Sequence, residues 1–297
     1  MNGIVIVDKP QDWTSQDVTA RLRRVFNTRR IGHGGTLDPM ATGVLPVFVG
    51  RATRGVEFFE HAEKTYETVL RLGLTTDTED VWGETLEERP AAFPAEKLEE
   101  VLEAFRGEIL QVPPMYSALK VNGQKLCDLA RKGKEVERQP REIEIFELTC
   151  LEFSGDTARL RVRCSKGTYI RTLCDDIGTT LGCGGTMESL KRTRVGEFGI
   201  DEALTLGQLQ ELKDAGRLQE CVKSVETCFT QCPALHVALE HGKLLDNGNA
   251  FYPAQTLEQK KYTTGEWVRV YQEDGRFYGI YAYDKERHWY KPVKMFL

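Results

Sequence analysis

Within 297 residues there is no C-x-x-C pair, no internal repeat, and no apolar run approaching the ~20 residues that a membrane-spanning helix requires. The first absence removes zinc ribbons and dithiol redox sites, so the eight cysteines read as free packing thiols. Cys228, Cys232 and His236 stand at four-residue steps, but no fourth ligand of fitting spacing joins them, and no metal is expected. The opening residues, MNGIVIVDKP, put no basic leader ahead of their four apolar residues. With no spanning segment either, the expectation is a cytoplasmic protein without a membrane partner. Nucleotide signatures are missing too. The stretch GHGGTLDPMATG at 32–43 has the composition of a phosphate loop, yet Leu37 stands where G-x-G-x-x-G needs its third glycine, and no Gly-Lys-Ser/Thr follows. Nucleoside triphosphate and NAD chemistry drop out at this loop.

What is present is an uneven distribution of charge. The net charge of −5 argues against a nucleic-acid partner, because phosphate binding rests on Lys and Arg. Residues 21–30, RLRRVFNTRR, nevertheless carry five arginines and no acid, and residues 120–141 carry seven Lys or Arg against three acids. TTDTEDVWGETLEERP and the helix expected after it, residues 75–105, gather ten acids against two basic residues. One basic and one acidic face would reconcile the sum with an RNA partner; solvated helix faces account for the runs equally well.

In GHGGTLDPMATG, Gly34 and Gly35 permit a sharp turn with positive φ, and Pro39 drives Asp38 into an extended conformation. The backbone thus places one carboxylate, either to close an Asx-turn or to act on a ligand. Around it, IVIV reads as a strand, and Thr14 followed by Asp17 as a helix start with Val18, Leu22, Val25 and Phe26 on its inner face. KTYETVLRLG alternates as a strand, with Tyr66, Thr68, Leu70 and Leu72 on one side. Leu98, Val101, Leu102 and Phe105 mark a helix ended at Gly107. EIEIFELTCLEF and ARLRVRC read as strands, followed by helices near 168–181 and 205–215. Residues 117–140 are polar, basic and glycine-punctuated, which predicts a protruding insertion instead of core. Beyond residue 233, WVRVYQ and RFYGIYAY joined through Glu273-Asp274-Gly275 predict a hairpin in a small β domain.

Seven segments, in order, are similar to motifs of one family: VDKPQDWTS (7–15), GHGGTLDPMATGVLPV (32–47), KTYE (64–67), TTDTEDVWG (75–83), QVPPMYSALKVNGQKL (111–126), GTYIRTL (167–173) and LKRTRVGEF (190–198). The chain resembles the TruB-type tRNA pseudouridine synthases of the bacterial stand-alone kind from residue 2 to about 200. Residues 233–297 resemble, by placement and hairpin pattern, the small PUA-like RNA-binding domain of such enzymes. The resemblance implies an α+β pseudouridine-synthase fold: a mixed, mainly antiparallel central sheet flanked by helices, with the active site in a basic cleft. It implies a catalytic domain over 1–232, with an RNA-gripping insertion at about 117–140, and a PUA-like domain over 233–297. The implied activity flips a specific T-arm uridine of tRNA out of its loop, breaks the N1 to C1′ bond and rejoins the base through C5. No cofactor, guide RNA or second subunit is expected, so the enzyme is a monomer acting directly on tRNA. Two rivals remain: a non-catalytic tRNA-binding or folding protein on the same scaffold, which loss of Asp38 would have marked, and a glycosidase releasing free uracil.

Carried over by position, Asp38 matches the family's catalytic aspartate, as nucleophile or as the anion that promotes glycosidic cleavage, and Arg171 the arginine that pairs with it. Tyr66 matches the tyrosine that stacks on the target base; a phenol near its usual pKa of about 10 is a weak base at neutral pH. His33 matches the histidine at the flipped nucleotide, Tyr169 and Leu190 wall the pocket, and Lys9 with Pro10 belongs to the N-terminal motif packed near it. Arg171 also lies in the first turn of the expected helix, where the dipole disfavours a cation by about 0.3 to 1 kcal/mol. A carboxylate partner is therefore expected, either Asp38 or Asp175 one turn on. The chain departs from the family at Asp12, where glycine is common and a left-handed turn must be tolerated, and at Cys127, where tyrosine is frequent.

Overall fold

The computed structural model describes residues 1–297 apart from Glu60 and Asn122. A nine-stranded sheet forms its centre, in the order Gly3–Lys9, Thr42–Val49, Gly185–Val195, Lys64–Leu72, Thr157–Cys164, Arg141–Phe153 and Gly107–Gln111. Ile31–His33 adds to Thr42–Val49, and Phe198–Gly199 to Gly185–Val195. Every pairing is antiparallel except the short parallel contact of Thr42 and Gly43 with Lys191 and Arg192, so the sheet is mixed and mainly antiparallel as expected.

The two halves of the sheet are covered differently, and the sequence patterns follow from that. Within Gly3–Lys9, residues 4–7 form an unbroken apolar run because both faces of the strand are buried there. Val5 and Val7 pack with Val18, Leu22 and Leu209 from helices Ser15–Val25 and Leu206–Asp214, while Ile4 and Ile6 pack with Phe48, Phe59 and Phe198. Lys64–Leu72 alternates instead. Tyr66, Leu70 and Leu72 join a core with Leu173, Cys174 and Ile177 of helix Ile170–Leu181. The opposite face carries cross-strand ion pairs, Arg161 with Glu67 at 3.5 Å and Arg71 with Asp156 at 3.0 Å.

Helix Ser15–Val25 begins as the sequence predicts. The Asp17 amide donates to Thr14 Oγ1 at 3.0 Å, and the Thr14 amide donates to Asp17 Oδ2 at 2.9 Å. Thr14→Ala is expected to cost about 1 kcal/mol of stability, read from the urea midpoint. That helix carries Ser15, which is part of the site below.

The insertion at 117–140 departs from the fully polar protrusion expected. It forms a hairpin, Lys120–Val121 with Gln124–Lys125, and a helix, Leu126–Ala130, whose Leu126 and Leu129 are buried. Two leucines anchor it, and its basic residues surround that anchor; Asn122 within it lies outside the described residues. The C-terminal residues form a four-stranded sheet, Ala234–Val237, Trp267–Gln272, Phe277–Asp284 and Trp289–Met295, with its own core of Leu235, Phe251, Val270 and Tyr281. It is seated on the larger body, not detached from it. Ile280 joins the cluster of Phe48 and Phe229, Phe58 meets Trp267 edge-on, and Lys294 pairs with Glu57 at 2.6 Å. Among the described residues no helix is long and apolar enough to cross a membrane.

Candidate active site

The loop that carries Asp38 runs between Ile31–His33 and Thr42–Val49. Of the two glycines expected to turn it, only Gly35 has positive φ, at +100°. Gly34 serves space: a Cβ there would lie 3.1 Å from Phe59 Cβ and 3.2 Å from the Phe48 ring. The parallel contact between strands requires Gly43, where a Cβ would fall 2.2 Å from Arg192 O.

Three side chains grip the loop from beneath. Ser15 Oγ accepts from the Leu37 amide at 2.9 Å and donates to the Leu37 carbonyl at 3.2 Å. Lys9 is fully buried, and its ammonium donates to the carbonyls of Pro39, Pro10 and Trp13. The Pro39 carbonyl takes a second bond, from the Asp12 amide at 2.9 Å. Burial pushes the Lys9 pKa down to about 8, against the pull of Asp38 and Asp12. Asp12 itself adopts φ +64°, the left-handed turn that its place in the motif demands. The third grip is Arg192, fully buried, which donates to Val44 O at 2.8 Å, Thr36 O at 3.3 Å and Gly35 O at 3.1 Å. Asp38 is thus held by its neighbours' backbone on both sides, while its own side chain remains 39% exposed.

Arg171 meets it from helix Ile170–Leu181. Its Nη2 lies 3.1 Å from Asp38 Oδ2 and donates to Tyr116 O at 2.9 Å, while Nη1 donates to Thr78 O at 3.1 Å. Asp80 Oδ2 stands 3.9 Å from its Nε. A cation buried in the first turn of a helix needs such partners, and the partner is Asp38, not Asp175. Burial raises the Asp80 pKa, opposed by the Thr78 hydroxyl and by Arg171.

Tyr66 lies opposite Arg192 across the sheet, and its phenol feels the charge of that guanidinium. Burial raises the phenol's pKa although Arg192 opposes it, so the hydroxyl is a weaker acid than a free tyrosine and its ring is the available chemistry. Asp38, Tyr66, Tyr169, Arg171 and Leu190 line one cleft of about 670 Å³, a size that accepts a nucleotide. Lys9 and His33 are outside its wall. Lys9 acts through Pro39, and at His33 burial and the Arg192 charge lower the imidazole pKa. From the insertion, Cys127 and Arg131 also face the cleft.

Four site residues escaped the sequence reading: Ser15, Asp80, Gln111 and Arg192. Each lies inside a quoted motif. Gln111 clamps Tyr169 from both sides, its amide nitrogen donating to Tyr169 O at 3.0 Å and its oxygen accepting from the Tyr169 amide at 2.8 Å. Beside them Glu79 accepts from Thr172 Oγ1 at 2.5 Å, tying the Asp80 loop to the Arg171 helix. Burial raises its pKa from 4.5 to about 7, with the Thr172 bond and Arg171 opposing and Asp175 adding. Between those values the folded chain keeps a proton that the unfolded chain releases, so this group makes stability fall as pH rises through that window. Glu79→Gln is expected to flatten that slope and to exceed the parent by about 1 to 3 kcal/mol above neutral pH, as urea midpoints at about pH 5 and pH 8 will register.

A carboxylate ion-paired with a buried guanidinium, beside an aromatic ring and a basic rim, can act on an electrophilic carbon of a polyanion without a second carboxylate to activate water. Comparison with known proteins agrees with that chemistry. Residues 23–170 match the TruB family pseudouridylate synthase N-terminal domain, and residues 171–230 match the tRNA pseudouridylate synthase B C-terminal domain. The chain is 44% identical over 288 residues to the tRNA pseudouridine synthase B of Stutzerimonas stutzeri, covering 94% of this chain and 91% of that one. Against the protein of the same name from Francisella tularensis subsp. novicida it is 44% identical over 287 residues, covering 96% and 92%. Among solved structures, an H/ACA RNP bound to a substrate RNA containing 2'-deoxyuridine superposes with TM-score 0.76 at 23% identity, over 99% of this chain and 85% of that one. An archaeal box H/ACA sRNP Nop10-Cbf5 complex gives 0.74 at 24%, over 99% and 86%, and these two likenesses establish the fold. With both parts of the sequence matched and the carboxylate and arginine of the motifs in contact, the chain belongs to the TruB family of pseudouridylate synthases.

Proposed function

We propose that the chain isomerises a T-arm uridine of tRNA to pseudouridine, and that the Asp38 and Arg171 pair at 3.1 Å in the cleft performs the cleavage. The relatives named tRNA pseudouridine synthase B support the substrate class. The uridine leaves its loop and enters the cleft, where Tyr66 stacks on it. Asp38, paired with Arg171, drives departure of N1 from C1′, either by attack at the sugar or by stabilising the cationic sugar electrostatically. The detached uracil turns within the site and C5 bonds to C1′, displacing Asp38 where it had attacked; N1 gains a proton and C5 loses one, so protons balance. Product and substrate are isomers, so no water is consumed and no cofactor is needed; walls formed by Leu190 and Tyr169 keep water from capturing the sugar.

The basic insertion at 117–140 grips the RNA and supports direct recognition by a monomer without a guide RNA. We place the boundary between catalytic and PUA-like RNA-binding domains at 232/233, since Cys232 packs with the larger body and Leu235 with the C-terminal core. Cytoplasmic location follows from the substrate.

The test is tritium release from an unmodified tRNA transcript carrying 5-tritiated uridine. Release by the wild type, none by Asp38→Ala and no free uracil is the expected result. Free uracil would make the enzyme a glycosidase, and tight binding without release would make it an RNA-binding protein.

A further inference from the structure

Trp82 lines the same cleft as Asp38 and Tyr66, yet it is 48% exposed. Among the described residues no aromatic ring or cation stacks on its indole. Its backbone is nevertheless fixed on both sides. The Trp82 amide donates to Asp80 Oδ1 at 3.2 Å, the Val81 amide to Met187 O at 3.0 Å and the Gly83 amide to Asp80 O at 3.2 Å. A Cβ at Gly83 would lie 2.2 Å from Thr78 Oγ1, so the turn beyond Trp82 is closed tightly as well. An uncovered indole on a fixed backbone offers the cleft a π-face with only two side-chain torsions left to order.

The surroundings indicate what covers it. Arg131 shares the cleft lining, a cation suited to phosphate, and the Asp80 carboxylate that orients Trp82 also reaches Arg171. Extruding one uridine unstacks its neighbour in the loop and exposes that neighbour's own face, which an aromatic ring on a fixed backbone can cover. We infer that Trp82 is a stacking shelf for the unpaired nucleobase adjacent to the flipped uridine, and so a specificity-determining residue of this enzyme. The inference rests on the tRNA reading above.

The experiment uses the full chain and T-arm stem-loop RNAs that carry one abasic residue at each unpaired position other than the target. Trp82→Ala should raise KM for the intact RNA about 5- to 100-fold, the range of one base–aromatic stack, with a smaller change in kcat. Trp82→Phe should recover most of the loss. The alanine penalty should vanish for the RNA abasic at one position and persist for the others. Equal KM for wild type and Trp82→Ala, or an alanine penalty identical on every abasic RNA, would overturn the shelf. Absence of turnover by the wild type on the intact RNA would instead overturn the tRNA reading itself.

Discussion

Asp38→Asn is expected to lower the rate of pseudouridine formation by at least about a thousandfold, or about 4 kcal/mol of barrier, while leaving tRNA affinity and folding nearly unchanged. The substitution keeps the side chain's shape and removes its charge, so it isolates the electrostatic role. Folding tolerates it because Asp38 is 39% exposed, and a pair that open to solvent contributes at most about 1 kcal/mol. Arg171 is not orphaned, since Thr78 O, Tyr116 O and Asp80 still receive it. Affinity for a polyanion should hold or rise slightly when one negative charge leaves a basic cleft. Single-turnover kinetics at saturating tRNA, with filter binding and a urea titration beside them, separate the three quantities. A variant within tenfold of wild type would remove Asp38 from the chemistry and leave it a turn residue.

The elements most legible in the sequence are those whose cause is local. Thr14 and Asp17 cap a helix within four residues, and Lys64–Leu72 alternates because one face is buried and the other carries ion pairs. The pairing of Asp38 with Arg171 has no local cause. The dipole argument asked for some carboxylate, Asp175 satisfied it on paper as well as Asp38 did, and only the family resemblance separated them. Arg192 shows the opposite failure. In LKRTRV its neighbours Lys191 and Arg194 are exposed, and nothing local marks Arg192 as buried. The strand lies deep in the sheet, however, between Thr42–Val49 and Lys64–Leu72, and no periodicity of apolar residues reports that. Gly34 was assigned a conformational role for the same reason: its constraint is the packing of Phe48 and Phe59, which the sequence does not bring together.

Arg192→Met carries the largest expected effect on stability, a loss of about 2 to 4 kcal/mol, with activity falling more than about a hundredfold. Two terms oppose each other. Truncation strands the carbonyls of Gly35, Thr36 and Val44, each buried partner costing about 1 to 3 kcal/mol when left unpaired. Removing the cation also recovers its desolvation, which is already large enough to lower the arginine's own pKa. The unpaired groups win because they are several and the loop they belong to cannot turn them to water while Ser15 and Lys9 still hold Leu37 and Pro39. Activity falls for a geometric reason, since the loop that Arg192 holds is the one that carries Asp38. Arg192→Lys should fall between the two, because an ammonium on a flexible stem cannot reproduce the planar fork that reaches three carbonyls. A second readout reports the lost charge directly in the folded protein: with the guanidinium gone, the His33 imidazole should titrate at higher pH than in the wild type, by NMR at a temperature where both proteins are folded. Arg192→Met that kept wild-type stability and turnover would mean that the catalytic loop is held by Lys9 and Ser15 alone.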